Sequence, residues 1–403
     1  MPVVGGESVR GGWPAVVVTG LGFGVGRDVD PWANLLDGRS EVQAVDLPLL
    51  GKPAAGASPR FANPELSGSA AMMASAVDRA QRDSLGPLTE PWDPERCRGR
   101  FEDERCGWVL GVSKSDPAGW CDDASTDWMF PGLSIQPPAE PRGPRITPVA
   151  ACATGVVAVI RGVELIQRGL CDRVVCGAAD ASLHPLVLAS FARLGVLAKP
   201  GGDPATCVRP FDVGRNGFAI GEGAAAFVLE RADLVSPGTS YATMTGSAIA
   251  SAAVKLTDVD STGDPVRRVL RECTAGVPPD LLGLHGTATR ANDPAEAAGV
   301  RTAFQNGAAI AAFASKGATG HQLGAAGAME LAFTLLALRD GIVPPTVNLR
   351  QQDPACGLNL SPDVRRASLQ TAAKVSLGFG GTVAGVALRR GDRLPSPSFA
   401  TTE

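Results

Sequence analysis

Cys152 is the first residue whose type and position predict chemistry. It lies in Pro148-Val-Ala-Ala-Cys-Ala-Thr-Gly, where an extended segment passes into a helix that is apolar almost all round at its start. A thiol at the buried N-terminus of such a helix lies near the positive end of the helix dipole, which favours the thiolate and therefore a nucleophile. An unreactive buried cysteine fits the same local pattern.

Two of the three histidines lie in turns rich in glycine and threonine. His285 begins His-Gly-Thr-Ala-Thr directly after a buried strand, at the end of the strand where α/β proteins place their sites. His321 lies on the glycine-rich entry to a second apolar helix. A hydrogen-bonded core histidine and a surface-loop histidine are the alternatives for these two positions. His184, in a turn before Pro185, is interpreted as structural.

Other polar residues lie near these histidines in the sequence. Lys316, five residues before His321, and Glu296, on the helix after His285, are predicted to form a buried ion pair that orients the histidines. Two solvated surface charges are the alternative. Asp293 is predicted to be the N-cap of the helix over 293–304. The segment Gly378-Phe-Gly-Gly indicates a flexible aromatic turn, or simply a hairpin turn.

The composition excludes several classes of protein. The 403 residues are 44% hydrophobic and carry a net charge of only −4, which excludes global disorder. With a single tyrosine and no basic stripe, nucleic-acid binding is not expected. No apolar run approaches the ~18 residues of a membrane span, and the N-terminus does not resemble a secretory signal. Nine cysteines, an odd number, favour free thiols in the cytoplasm, and no cluster has metal-ligand spacing.

Strands alternate with helices along the chain, which predicts an α/β protein with largely parallel sheets. The order of elements restarts after a Pro-Gly linker, so we infer an internal duplication. The predicted halves are residues 1–235, which contain Cys152 and an irregular insertion over 114–146, and residues 236–393, which contain His285 and His321. Residues 45–66 are predicted to be loop, and residues 394–403 a flexible tail.

Six segments, in order, resemble the β-ketoacyl-acyl carrier protein synthases, the elongating ketosynthases of the thiolase superfamily. The resemblance is weak over residues 14–112 and strong over 143–390, and it implies a thiolase-like fold in which two duplicated βαβαβαββ halves form a five-layered α-β-α-β-α core. The segments are Ala151-Cys-Ala-Thr-Gly, Arg209-Pro-Phe-Asp with Arg215-Asn-Gly-Phe-Ala-Ile-Gly-Glu-Gly-Ala, His285-Gly-Thr-Ala-Thr with Asn292-Asp-Pro-Ala-Glu, Lys316 to Gly327, Ile342-Val-Pro-Pro-Thr-Val-Asn-Leu, and Gly378-Phe-Gly-Gly.

The resemblance also implies roles for individual residues. Cys152 would carry an acyl chain, and His285 and His321 would stabilise the enolate formed when a malonyl group loses carbon dioxide. Lys316 and Glu296 would hold the histidines in place. The backbone amides of Cys152 and Phe379 would form the oxyanion hole, and the Phe379 side chain would be the gate between the acyl and malonyl pockets. The implied substrate-binding residues are Thr287, Thr289, Phe191, Gly378 and Gly380.

The implied partner is an acyl carrier protein, which would bring the phosphopantetheine arm, so no cofactor or metal is expected. Docking would use basic residues, with Arg142, Arg145 and Arg193 as candidates. The family also implies a homodimer or a heterodimer with a related ketosynthase. Two histidines favour the elongating branch, and the retained cysteine distinguishes the chain from chain-length-factor subunits.

Three other functions remain open from the sequence. The unusual segment 114–146 is compatible with a catalytically silent partner subunit. An acyltransferase that passes the chain to an amine or alcohol is a second alternative. A thiolase acting on coenzyme A thioesters is the weakest, because the C-terminal glycine turn has no second cysteine.

Overall fold

The computed structural model describes residues 12–25, 30–45, 54–58, 68–85, 93–114, 139–199 and 201–393 of the 403-residue chain. The strands within these ranges are β1 (Val16–Phe23), β2 (Gln43–Val45), β3 (Ala54–Ser58), β4 (Cys106–Val112), β5 (Arg145–Ile146), β6 (Arg173–Asp180), β7 (Ile220–Gly221), β8 (Gly223–Arg231), β9 (Ala242–Ser251), β10 (Leu281–Gly283), β11 (Ala311–Phe313), β12 (Ile342–Val343), β13 (Arg365–Arg366), β14 (Thr371–Leu377) and β15 (Thr382–Arg390).

The helices within the same ranges are α1 (Pro31–Leu36), α2 (Gly68–Ser84), α3 (Pro94–Phe101), α4 (Thr154–Gln167), α5 (Pro185–Leu194), α6 (Asp264–Cys273), α7 (Asn292–Ala303), α8 (Lys316–Thr319) and α9 (Ala326–Asp340). None of the helices in the described part of the chain has the length and apolar character needed to cross a membrane.

The largest sheet has ten strands in the order β11-β10-β14-β15-β9-β1-β8-β6-β4-β5. It consists of two sets of five strands, joined where β1 pairs antiparallel with β9. Counted outward from that junction, the strands of one set match those of the other both in position and in order along the chain. The matching pairs are β1 with β9, β8 with β15, β6 with β14, β4 with β10, and β5 with β11. The predicted internal duplication is therefore present in the topology.

Two central helices are buried between the two sets of strands. All fifteen residues of α9 are buried, and α4 packs against it while contacting strands of both sets. A helix in this position must be apolar all round, which explains the runs at Val156–Ile160 and Leu331–Leu338. On the outer faces, α2 covers β1 and β8, and α6 covers β9 and β15. The layers are α-β-α-β-α, as predicted.

The C-terminal half runs β9-α6-β10-α7-β11-α9-β14-β15, which is the predicted βαβαβαββ order once the single turn of α8 and the short β12–β13 pair are set aside. In the N-terminal half, residues 115–138 of the predicted insertion lie outside the described residues, as does the tail from 394. The prediction of loop over 45–66 is wrong at β3, which pairs with β2 and β7. A strand of alanine and glycine has no alternating pattern, so only its pairing reveals it.

Candidate active site

The backbone before α4 forms an elbow that projects Cys152. The residue lies on a single 3₁₀ turn, Ala151–Ala153, and Ala151 has a φ of +47°, an uncommon left-handed conformation for a side-chain-bearing residue. Thr154 holds this turn, because its hydroxyl accepts a hydrogen bond from the Ala150 N–H at 2.9 Å and donates to the Ala151 carbonyl at 2.7 Å. Cys152 itself is only 7% exposed.

The turn after β14 packs directly on this elbow. The backbone N–H of Phe379 is hydrogen-bonded to the Cys152 thiol. Gly378 makes the close approach possible, since a Cβ there would lie 2.7 Å from the Ala150 carbonyl oxygen and 3.4 Å from the Cys152 nitrogen. The turn that carries the Phe379 amide therefore packs against the backbone around Cys152, and the oxyanion hole formed by these two amides stays a prediction.

We expect Gly378→Ala to slow acylation of Cys152 by up to about 10²-fold, because the new methyl group pushes the Phe379 amide away from the sulfur. The measurement is the rate of mass gain of the intact protein with an acyl donor. Gly99→Ala is the matched control, since a Cβ on Gly99 has nothing within 4 Å. Equal acylation rates for wild type and Gly378→Ala would contradict this role of the turn.

The prediction of a resting thiolate is wrong. Burial raises the pKa of the Cys152 thiol to about 12, and the charge of Lys316 and the Phe379 hydrogen bond, which act in the opposite direction, do not overcome it. The cysteine lies ahead of α4 and out of solvent, and burying a charge disfavours the thiolate. The thiol is a protonated nucleophile until it meets its substrate.

His285 follows β10 and is held by a carboxylate and an ammonium group. Glu296 accepts hydrogen bonds from the His285 N–H at 2.6 Å and the Gly286 N–H at 2.8 Å. The Nζ of Lys316 lies 3.1 Å from His285 Nδ1 and also donates to the His285 carbonyl. Because an ammonium group only donates, Nδ1 is an acceptor and the ring proton lies on Nε2. The ring therefore presents a hydrogen-bond donor on its far side.

The predicted ion pair between Lys316 and Glu296 is wrong. Lys316 pairs instead with Glu330 of α9, and Lys374 of β14 lies 2.8 Å from the other oxygen of the same carboxylate. Glu296 is occupied by backbone amides and by the Asn292 side chain. Sequence reasoning missed Glu330 and Lys374. Each is a lone charge within an apolar buried run, a pattern that requires a partner in the core.

His321 lies opposite His285 with its ring almost perpendicular. The two ring centroids are 5.3 Å apart with an interplanar angle of 83°, and the edge of the Phe218 ring lies against His321 at 4.8 Å. The His321 backbone N–H donates to the Ala219 carbonyl at 2.6 Å. Burial, followed by the charge of Lys316, lowers the pKa of both histidines well below the ordinary value. Both rings are therefore neutral.

The prediction that Asp293 caps a helix is wrong, because α7 already begins at Asn292. Its carboxylate instead accepts hydrogen bonds from the Phe211 N–H at 2.7 Å and the Ala288 N–H at 3.1 Å. Phe211 and Ala288 have φ of +61° and +60°, so Asp293 holds two left-handed residues next to the histidine motif. Burial raises the pKa of Asp293 to about 7.

One cleft, of about 880 Å³ measured out to its opening, connects these groups. Cys152, His285 and His321 all line it, together with the predicted Phe191, Thr287, Thr289, Gly378 and Phe379. The Phe191 and Phe379 rings are stacked at 6.2 Å, and the two threonine hydroxyls are 2.9 Å apart. Gly380 does not line the cleft; its N–H donates to the Leu256 carbonyl at 2.7 Å.

The remaining sequence predictions concern histidine, cysteine and metal. His184 is the N-cap of α5 and accepts a hydrogen bond from the Leu186 N–H at 3.3 Å, a structural position. The eight cysteines in the described ranges are free thiols. Within those ranges, no group of three His, Cys, Asp or Glu side chains has the geometry to hold a metal ion.

One cleft thus holds a buried cysteine and two neutral imidazoles, a nucleophile and two hydrogen-bond donors of the kind that acyl transfer can use. Comparison with known families agrees. Residues 14–234 match the β-ketoacyl synthase N-terminal domain, and residues 241–350 match the β-ketoacyl synthase C-terminal domain. The chain belongs to the β-ketoacyl synthase family.

Two curated relatives illustrate the range of this family. The chain is 34% identical over 258 residues to 3-oxoacyl-[acyl-carrier-protein] synthase 2 of Coxiella burnetii, which covers 62% of this chain and 62% of that protein. It is 36% identical over 260 residues to the tetracenomycin polyketide synthase ketoacyl synthase alpha subunit of Streptomyces glaucescens, covering 62% and 60%. The chain thus spans about three fifths of the length of the curated relatives it matches.

Solved structures share the fold. A type II polyketide ketosynthase in complex with its acyl-carrier protein and bound to the hexaketide superimposes with a TM-score of 0.79 at 22% identity, over 94% of this chain and all of that one. The ishigamide ketosynthase/chain length factor superimposes with a TM-score of 0.76 at 25% identity, over 94% and 99% of the two chains. The predicted thiolase-like architecture is confirmed.

Proposed function

We propose that this protein is a β-ketoacyl-acyl carrier protein synthase, which joins an acyl chain on Cys152 to a malonyl unit with loss of carbon dioxide. The observation that carries the proposal is the single cleft in which Cys152, His285 and His321 meet. The family supplies the class of reaction, and its curated relatives include a 3-oxoacyl-[acyl-carrier-protein] synthase 2 and a ketoacyl synthase subunit of a polyketide synthase.

In the first half-reaction the Cys152 thiol attacks the thioester of an acylated carrier protein. The new carbon–sulfur bond forms on Cys152, the bond to the carrier's sulfur breaks, and the thiol proton leaves with the carrier's thiol. Because burial raises the pKa of Cys152 to about 12, this proton is lost during the attack rather than before it. The amides of Cys152 and Phe379 stabilise the oxyanion that forms between these two steps.

In the second half-reaction a malonyl thioester replaces the departed carrier. Its carboxylate leaves as carbon dioxide, and the electron pair left behind forms an enolate whose oxygen lies between His285 and His321. Neutral imidazoles donate hydrogen bonds to this oxygen, and Lys316 orients His285 for that purpose because it occupies Nδ1. The enolate carbon then attacks the acyl group, the bond to Cys152 breaks, and its sulfur takes up a proton.

The carrier protein is expected to dock at the mouth of the cleft. Arg193, Lys255 and Arg290 are exposed, each lies within two residues of a residue that lines the cleft, and none has an ion-pair partner among the described residues. An acidic carrier protein suits these three exposed positive charges. Of the docking candidates from the sequence, Arg142 and Arg145 are already paired, with Glu102 at 3.6 Å and Glu140 at 2.8 Å, so we favour Arg193.

Arg193→Glu and Lys255→Glu are each expected to raise the KM for an acylated carrier protein up to about fivefold, because a surface charge pair contributes about 1 kcal/mol or less. The effect should shrink as salt screens the charges. Acylation from a small thioester that needs no carrier should be unchanged. Arg366→Glu, an exposed charge on β13, is the control. Carrier KM values equal to the control's would place the docking surface elsewhere.

One set of assays separates the proposal from its alternatives. Purified protein and malonyl carrier protein should release carbon dioxide, and an added acyl donor should give a β-ketoacyl product. A silent partner subunit would neither acylate Cys152 nor release carbon dioxide. An acyltransferase would acylate Cys152 but leave the malonyl group intact. Intact mass after incubation with carrier proteins of different chain lengths also defines the preferred acyl chain.

The oligomeric state, the cofactor requirement and the cellular compartment follow from the same proposal. A second copy, or a related ketosynthase subunit, is the expected dimer partner, supported by the similarity to a ketosynthase/chain length factor structure. The phosphopantetheine arm arrives with the carrier, so the chain itself needs no cofactor for the proposed reaction. Free thiols throughout the described cysteines suit a reducing cytoplasm.

A further inference from the structure

Lys374 is a fully buried lysine in the middle of β14, and the reaction proposed above does not use it. It is the one charged residue of the strand Thr371–Leu377, and its side chain is 0% exposed. A buried ammonium group is costly unless several acceptors surround it. Its retention in the core therefore calls for a function or for strong compensation.

The surroundings of Lys374 match a charged amine. Its Nζ lies 2.8 Å from Oε2 of Glu330 and donates to the carbonyls of Leu284, at 3.3 Å, and Val375. Two carbonyl acceptors and one carboxylate ion pair therefore surround the ammonium group. Burial lowers the pKa of Lys374, and the negative charge of Glu330 opposes that change.

Each of these contacts leads to a different part of the active site. The other oxygen of Glu330 holds Lys316, which occupies Nδ1 of His285. Leu284 directly precedes His285 at the end of β10. The strand that carries Lys374 leads, four residues later, into Gly378 and the oxyanion turn. Lys374 thus contacts the carboxylate that holds Lys316 beside His285, and it lies on the strand that leads to the Phe379 amide.

Lys374 also acts on both rings through its charge. Together with Lys316 it disfavours protonation of His285 and His321, so it lowers the pKa of each. The other titratable groups that face this cluster from the packed elements are Lys316, Glu330, Glu296, Asp293, Asp180 and Cys152.

We propose that Lys374 is a positioning residue of this site, which holds Lys316 and His285 in place through Glu330 and the Leu284 carbonyl. Its effect on catalysis rests on the proposed condensing activity. Its effect on the two histidine rings does not, because the rings can be observed without any substrate.

Lys374→Met removes the charge while keeping much of the length of the side chain. In protein labelled with ¹³C on the histidine rings, only three signals are expected, and those of His285 and His321 should begin to titrate at higher pH than in wild type. The acid limb of the pH profile for malonyl decarboxylation should move to higher pH, because the loss of a positive charge makes protonation of the two rings easier. The KM for malonyl carrier protein should stay unchanged while kcat falls.

The chain contains a matched control. Glu230 is a buried carboxylate whose two oxygens hold Arg100 at 2.7 Å and Arg173 at 2.6 Å, the same arrangement as Glu330 with its two lysines. Neither arginine lines the cleft. Arg173→Met therefore removes one of two cations from a buried carboxylate elsewhere, and it should leave the histidine titrations and the pH profile unchanged.

Lys374→Arg, which retains the charge, should keep both ring titrations near those of wild type. If Lys374→Met does not fold, Lys374→Gln takes its place, since it keeps a donor and lacks the charge.

Unchanged ring titrations in a folded neutral variant, or equal changes in Arg173→Met, would overturn the proposal. So would failure of both neutral variants to fold while Lys374→Arg folds, because the lysine would then be a structural charge. A wild type without decarboxylase activity would refute the proposed function and leave the ring titrations to decide this inference.

Discussion

Cys152→Ala is expected to take up no acyl chain and to form no β-ketoacyl product, while still releasing carbon dioxide from malonyl carrier protein. The elbow before α4 presents one sulfur to the cleft, and the enolate is stabilised by the two imidazoles rather than by that sulfur. Loss of a nucleophile typically costs about 10⁴-fold or more in rate. Intact mass reports acylation, and product analysis reports condensation.

Cys207→Ala is the control for this variant, since Cys207 is also a buried free thiol but does not line the cleft. It should acylate and condense at the rate of wild type. Acylation of Cys152→Ala at another residue, with condensation retained, would show that the chemistry lies elsewhere.

His285→Ala and His321→Ala should keep acylation, which Cys152→Ala loses, and should lose malonyl decarboxylation, which Cys152→Ala keeps. Each removes one of the two expected donors to the enolate oxygen, so malonyl decarboxylation should fall by about 10²–10³-fold while acylation of Cys152 persists. The persistence follows from the separate oxyanion amides, which belong to the elbow and to the turn at Phe379. Carbon dioxide release and intact mass, measured on the same sample, give both rates.

His184→Asn is the control for the histidine variants, because asparagine keeps an acceptor at the N-cap of α5. If the His285 and His321 variants also fail to acylate, the imidazoles act on the cysteine rather than on the malonyl group. If both variants decarboxylate normally, the proposed roles of these two residues are wrong.

The elements that position the site could be predicted well from local patterns. The apolar runs of α4 and α9 indicated buried helices, and the alternation of strands with helices indicated the layered fold. The same alternation predicted largely parallel sheets, which is wrong, because five of the nine pairings in the ten-stranded sheet are antiparallel. Residue motifs located Cys152, His285, His321 and Lys316, and the structure brings them together. Short strands such as β3 were missed, since they depend on pairing with distant segments rather than on their own pattern.

The partners of the buried charges could not be predicted in the same way. Glu296 lies closer to His285 in sequence than Glu330 does, so it was the natural candidate to pair with Lys316. In the fold, Glu296 is committed to two backbone amides, and the carboxylate of α9 meets both Lys316 and Lys374. Which of two carboxylates meets an ammonium group depends on how helices pack, and packing is a property of the whole core.

The sequence by itself determined the layered fold, the family and the candidate reacting side chains, because apolar periodicity and motif spacing are local properties that it states directly. Only the tertiary structure decided that Cys152 is a protonated thiol, that Glu330 rather than Glu296 pairs with Lys316, and that Lys374 joins them. Desolvation and ion pairing depend on what surrounds a group in three dimensions, and residues far apart in the sequence supply those surroundings.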